Sequence, residues 1–244
     1  MIGSLRSALA FLTILPAGGE LGSGSVGFFW CAGLFVGVVI GLIWTIGTAI
    51  WGPVVGATLC VGVEVILTRG LHYDGVGDLA DGLFVHGVDA ARRREIMGDP
   101  RIGALGALTL IITVLLRVAI LSDLHAAVGE LIGVTVLSRV TLSIGLLMQA
   151  PAKTTGLVAL FQDPPLRVGT YVVLGIGAVA GVVAQVVSSG LVAGLGSCAA
   201  VVVVGTALQV LAGRRLGGLT GDVLGASSVV GEVGGLLVLA GLGR

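Results

Sequence analysis

The chain has 244 residues, 56% of them hydrophobic and only 11% charged, with a mean hydropathy of +1.13. An average soluble domain carries about 25% charged residues, so this chain has too little charge to cover a water-facing surface, and the bilayer must be its solvent. Formal net charge is zero, with 13 basic and 13 acidic residues, which excludes the basic excess of a nucleic-acid-binding protein.

Taken in order, the chain begins with a short apolar run, 8–15, that follows Arg6. A signal peptide is disfavoured, because the core is short and further apolar runs follow at once. An amphipathic or re-entrant segment is expected there. A transmembrane helix needs roughly 20 apolar residues to cross about 30 Å of hydrocarbon. Seven stretches come near that length: 28–50, 54–68, 103–121, 131–149, 168–187, 191–211 and 223–242. Trp30 and Trp51 bracket the first as interfacial aromatics do, at a helical separation of about 31 Å. The 43 glycines, scattered through these runs, suit close helix packing in lipid. Cys31, Cys60 and Cys198 lie in apolar stretches with no CxxC spacing or histidine partner, so neither a disulfide nor a zinc site is supported. The expected fold class is all-α. It is a polytopic membrane helical bundle of about seven transmembrane helices, one domain covering residues 1–244.

Basic residues set the expected orientation. Arg6, Arg69, Arg92, Arg93, Arg94, Arg101, Lys153, Arg167, Arg214 and Arg215 occupy alternate connections. The intervening loops 51–53, 122–130 and 188–190 hold no Lys or Arg. Those ten residues are expected in the cytoplasm of a cell carrying the protein in its inner or plasma membrane, with the C-terminus outside.

The longest cytoplasmic connection, 69–102, collects most of the acids. It opens R-G-L-H-Y-D-G-V-G-D-L-A-D-G over 69–82, where Asp74, Asp78 and Asp81 are spaced by four and three. A helix places all three carboxylates on one face, where they repel one another unless a cation neutralises them. Oxygen ligands with room for phosphate select Mg²⁺. The competing reading is a solvated face paired with Arg92–Arg94, and it is weakened because the acids abut an apolar span. Asp89 and Glu95 do fit a solvated face. The connection ends on Asp99 and Arg101. Asp99 is either a helix N-cap followed by Pro100 or a substrate contact, and Arg101 either anchors the topology or clamps a phosphate. A second acidic turn follows at Gly217, Gly218, Thr220, Gly221 and Asp222. Glycine turns expose N–H groups that can hold phosphate oxygens, while Asp222 could equally cap the last helix. Charges inside spans default to function. Arg139 is placed to meet a buried anion or a carboxylate, Arg117 to snorkel or act, Glu64 to pair with nearby Arg69, and Glu232 to pair with an arginine of a neighbouring span.

At these motifs the sequence resembles the cobalamin synthase family. The match is strongest at Leu71-His72-Tyr73-Asp74-Gly75, Asp78 and Asp81-Gly82. It continues at Glu95-Ile96-Met97, Asp99, Arg101-Ile102-Gly103 and Gly106, and again at Leu216-Gly217-Gly218, Thr220-Gly221-Asp222 and Leu224-Gly225-Ala226. Shorter echoes are Phe11-Leu12-Thr13, Ser138-Arg139, and Gly156-Leu157 leading to Phe161. Ile14, Gly98 and Val229 depart from the family pattern. The resemblance implies a membrane enzyme that joins adenosylcobinamide-GDP to α-ribazole, or its 5′-phosphate, with release of GMP. It further implies Mg²⁺ on Asp74, Asp78, Asp81 and Asp222, and Asp81 or Asp78 as general base. Arg101 and Arg139 would offset phosphoryl charge, with substrate contacts from His72, Asp99 and the Gly217–Gly221 turn. A homo-oligomer is allowed for.

Rival classes lack their marks. The DGxxAR pattern of CDP-alcohol phosphotransferases and the DDxxD-like pairs of intramembrane prenyltransferases are absent. A transporter would line a midplane path with Glu64, Arg117, Arg139 and Glu232. A purely structural membrane subunit leaves three co-facial aspartates without a purpose.

Overall fold

A computed structural model describes residues 1–124, 128–165 and 167–242. The centre of the expected outer loop 122–130 lies outside the described residues. The elements run α1 (Ile2–Leu12), a 3-10 turn (Ser23–Phe28), α2 (Phe29–Trp51), α3 (Pro53–Leu67), α4 (Leu71–Leu83), α5 (Ala90–Met97), α6 (Ala104–Asp123), α7 (Val128–Met148), α8 (Leu157–Gln162), α9 (Val168–Leu216) and α10 (Gly221–Leu242). Among the described residues no strand forms, and the all-α expectation holds.

Among the described residues five stretches are long and apolar enough to cross a membrane: Ser23–Trp51, α6, α7, α9 and α10. A sixth is added if α3 and α4, which meet at 90°, are taken together. We read α3 as the crossing segment and α4 as turned off it, because α4 carries three aspartates. At 49 residues, a straight α9 would run about 74 Å, more than twice the hydrocarbon thickness. It is instead broken at Gly190 (φ 77, ψ 172). A Cβ on Gly194 would stand 2.8 Å from the Val186 Cα, so the two halves double back on each other. With α3 and both halves of α9 counted, each of the seven expected spans has its helix.

Helix α7 is buried along most of its length and packs against α2, α9 and α10. Its contact with α2 follows a stripe of Gly33, Gly37 and Gly41. A Cβ on Gly33 would fall 2.4 Å from the Thr135 carbonyl oxygen, so small residues permit this approach as they do in lipid generally. By contrast α6 and the first half of α9 turn Ile111, Ile112, Leu115, Val172 and Val179 outward, a surface suited to acyl chains.

The charges inside the bundle close on one another. Arg117 of α6 donates to Glu64 of α3 and to Glu232 of α10, both at 2.6 Å. Arg139 of α7 donates to Glu232, to Ser138 (2.7 Å) and to Ser228 (2.6 Å), and the Tyr73 hydroxyl donates to Glu64 at 3.4 Å. Buried charges are tolerated when paired and hydrogen-bonded in this way. Two expectations are corrected here. Arg117 does not snorkel, being 1% exposed. Glu64 pairs with Arg117 and not with Arg69, whose guanidinium binds the carbonyls of Ala10 and Phe11 at 2.8 and 3.1 Å. Glu232 does pair with arginines of neighbouring spans. The four charged residues pair with one another, which counts against a transport path lined by free charges, although Arg117 Nε and Arg139 Nε and Nη2 have no partner among the described residues.

The connections expected to share one side are tied together. Ile14 donates to the Leu67 carbonyl (2.8 Å), Leu219 to Ala150 and Ala152 to Leu219 (both 2.9 Å), and Arg94 to the Leu216 carbonyl. At the opposite end, Gln185 and Ser189 bond Glu130 at 3.1 and 2.9 Å.

Candidate active site

Arg69 (φ 54) and Gly70 (φ 69) turn the chain sharply between α3 and α4. Helix α4 is amphipathic. His72, Tyr73, Val76 and Leu79 face inward, Asp74 is exposed, and Asp78 and Asp81 are half-buried. The expected single acidic face is therefore present. It lies against α10 because Gly75 has no side chain: a Cβ there would meet the Asp222 backbone, 2.7 Å from O and 3.1 Å from Cα. The two acidic motifs, about 140 residues apart in sequence, meet at this contact. Partial burial first, then the charges of Asp74, Asp222 and Asp81, push the Asp78 carboxyl up to about 6. Four carboxylates thus share one electrostatic neighbourhood.

Asp81 has a different employment from its neighbours. Its two oxygens accept the backbone N–H groups of Gly103 (2.7 Å) and Gly106 (2.8 Å), which are unpaired donors at the start of α6. Both glycines are needed for this approach, since a Cβ on either would stand 2.4 Å from an Asp81 oxygen. The sequence expectation of Asp81 as metal ligand or general base meets a carboxylate already engaged on both oxygens. The R-I-G-A-L-G run is the seat for that carboxylate. Gly106→Ala, whose Cβ would also lie 2.8 Å from the rigid Gly77 carbonyl, is expected to destabilise the fold by about 1–3 kcal/mol, as overpacking does. Thermal unfolding in detergent measures this, and an unchanged midpoint would refute the seat.

Other expected site residues are distributed more widely. Asp99 is not the cap of α6, a position held by Gly103. It accepts from Arg101 at the backbone nitrogen and Nε (both 3.0 Å) and at Nη2 (2.7 Å). The Arg101 guanidinium holds Asp99 well below the usual carboxylate range, and the Arg101 side chain is 86% exposed. Arg139 meets a carboxylate, Glu232, rather than the acidic face. In the glycine turn, Gly217 (φ 76) and Gly218 (φ 143) are left-handed, and the N–H groups of Gly218 and Leu219 are used by the Gly213 and Ala150 carbonyls. They are not free for phosphate. The helix cap is Thr220, whose hydroxyl accepts from the Val223 N–H at 3.2 Å, so Asp222 is spared the capping role. Arg93 binds the last carbonyls of α4, Gly82 and Leu83, at 2.8 Å each. Arg93 and Arg94 thus tie helix ends together, while exposed Arg92 pairs with Glu95 at 2.7 Å within α5.

Two cavities flank Asp222. One, about 310 Å³, is lined by Arg94, Lys153, Gly156, Thr220, Gly221 and Asp222 among others. The other, about 110 Å³, is bounded by Phe11, Phe29, Phe161, His72, Asp74 and Asp222 with surrounding leucines. His72 is 2% exposed. Burial, and then the Arg139 charge, hold it well below the usual histidine value, which favours the uncharged ring. Sequence reasoning gave Lys153 only a topological role and did not group the three phenylalanines. The signal for two of them was the pair of short family echoes at Phe11-Leu12 and Gly156-Leu157 with Phe161; Phe29 had none.

Among the described residues no three His, Cys, Asp or Glu side chains converge on a single point that could hold a metal. Asp74 and Asp222 reach one cavity, and Mg²⁺ commonly takes one or two carboxylates and completes its shell with water and phosphate oxygens. The pair fits that ion.

The fold and site define a polytopic helical membrane protein with an acidic, glycine-framed site at Asp222, flanked by two cavities. The family model described as cobalamin-5-phosphate synthase matches residues 4–240, and the chain belongs to that family. It is 36% identical to the adenosylcobinamide-GDP ribazoletransferase of Chlorobaculum parvum, over 96% of this chain and 93% of the relative. It is 35% identical to the protein of that name from Chlorobaculum tepidum (98% and 96% covered) and 32% to that of Escherichia coli K12 (95% and 96%). No solved structure matches.

Proposed function

We propose that this protein is an adenosylcobinamide-GDP ribazoletransferase, which joins adenosylcobinamide-GDP to α-ribazole or its 5′-phosphate and releases GMP. The observation that carries the reading is the close packing of α4 on α10 at Gly75. It brings Asp74 and Asp222 from two separate family motifs to one cavity. Asp74 and Asp222 would hold Mg²⁺ against the donor diphosphate. When bound, the ion would offset charge on the phosphoryl oxygens and on the departing GMP. Lys153, on the other side of Asp222, supplies a cation to the donor's phosphates. Asp78, whose carboxylate is not tied to a helix end as that of Asp81 is, accepts the proton from the attacking ribose hydroxyl. The acceptor's 5′-phosphate survives in the product, so that hydroxyl is one on the ribose ring. Its oxygen forms the new bond to the cobinamide-bearing phosphorus while the bond from that phosphorus to GMP breaks. Purified membranes given both substrates and Mg²⁺ should yield GMP and a corrinoid product. Absence of both overturns the assignment.

The acidic site is further proposed to face the cytoplasm, on the strength of five basic residues between Arg69 and Arg101. A cysteine at exposed Ala91 should then resist an impermeant thiol reagent in intact cells and react after permeabilisation. Ready labelling from outside reverses the orientation.

A further inference from the structure

The smaller cavity beside Asp222 has a chemistry of its own. Three rings pack together in its wall. Phe11 and Phe161 have centroids 5.2 Å apart, Phe29 meets Phe161 edge-on at 5.3 Å, and Phe11 lies 6.1 Å from Phe29. Leucines complete the lining, and the polar groups are few: His72, Asp74 and Asp222. Neither ring nitrogen of His72 has a hydrogen-bond partner among the described residues. Buried polar groups are nearly always paired, and an orphan calls for a missing partner. Four separate stretches of family resemblance, at 11–12, 71–74, 157–161 and 221–225, supply these walls apart from Phe29 and Leu142, although the mechanism above uses only Asp74 and Asp222 from them.

We propose that this cavity is the subsite for the base of the acceptor nucleoside. The base is a planar, apolar aromatic group that packs against Phe11 and Phe161. His72 bonds a polar atom of the nucleoside, and the ribose hydroxyls emerge beside Asp74 and Asp222. A benzimidazole suits such walls because it has few polar edge atoms. Guanine, on the donor, would leave its carbonyl and amino groups unpaired against phenylalanine rings, and it belongs on the Lys153 side. This inference rests on the transferase reading given above.

The test is steady-state kinetics of the full-length protein in lipid vesicles, varying each substrate with the other saturating. Phe11→Ala, at a half-buried position, should raise the KM for α-ribazole about tenfold, the scale on which a base–aromatic contact is lost. The KM for adenosylcobinamide-GDP should stay within about twofold. The free base of α-ribazole, 5,6-dimethylbenzimidazole, should compete with α-ribazole and not with the corrinoid, and Phe11→Ala should weaken that inhibition. Phe161→Leu replaces Phe11→Ala if the latter lowers membrane yield. A rise in the donor KM instead, an equal rise in both, or no change in either overturns the subsite. Should the wild type form no GMP and no corrinoid product, the transferase reading fails separately. Equilibrium dialysis of dimethylbenzimidazole then decides the cavity: binding lost in the variant supports an aromatic-base site, and equal binding removes it.

Discussion

Asp78→Asn should lower turnover by at least about 100-fold, the scale on which loss of a positioned acid–base or charge-stabilising group falls. The substitution keeps size and removes charge at a half-buried position, so membrane yield should remain near wild type. If Asp78 is the proton acceptor, saturating Mg²⁺ leaves the variant slow. Asp222→Asn should behave differently. On the proposed reading it removes a Mg²⁺ ligand, so raising Mg²⁺ should restore part of the rate. The comparison also separates Asp78 from Asp81, whose oxygens already hold Gly103 and Gly106. Asp81→Asn replaces one acceptor oxygen by a donor amide facing a backbone N–H, and its loss of activity should come with a lowered unfolding midpoint. Near-normal turnover and unaltered Mg²⁺ dependence in Asp78→Asn would leave the acids as a solvated face and sink the mechanism.

Glu232→Gln should be the most destabilising single change in the bundle. The carboxylate takes Arg117 on one oxygen, and Arg139 with Ser138 on the other, at 0% exposure. The amide leaves Arg117 with Glu64 alone, and Arg139 with only the hydroxyls of Ser138 and Ser228 and no carboxylate. Breaking a buried pair from one side costs about 3–5 kcal/mol, because a charge is left uncompensated. The expected result is a large fall in folded yield and in the unfolding midpoint in detergent. Material that does fold should keep both KM values within a few-fold, since the network positions α4 and α10 and touches neither cavity through Glu232. Wild-type stability would show that these charges are not a structural brace. Wild-type stability with a selective loss of kcat would return Arg139 to the phosphoryl group.

The solvent, the helices and the acidic motifs are legible in the order of the amino acids. Hydropathy marks each span because the bilayer forbids unpaired backbone and charge, and the break at Gly190 falls inside the arginine-free turn 188–190. The four-and-three spacing put Asp74, Asp78 and Asp81 on one face because helical periodicity is local. Partnership is not local, and it follows from how distant helices pack. Asp81 looks equivalent to Asp78 along the helix, yet it alone lies over the start of α6, where two glycines leave room for its oxygens. Glu64 is five residues from Arg69 in sequence but pairs with Arg117, 53 residues away, because the 90° turn after α3 carries Arg69 toward α1. The three phenylalanines of the aromatic cavity are dispersed over 150 residues. No periodicity joins them, and the meeting of their rings, one each from α1, α2 and α8, makes them one wall.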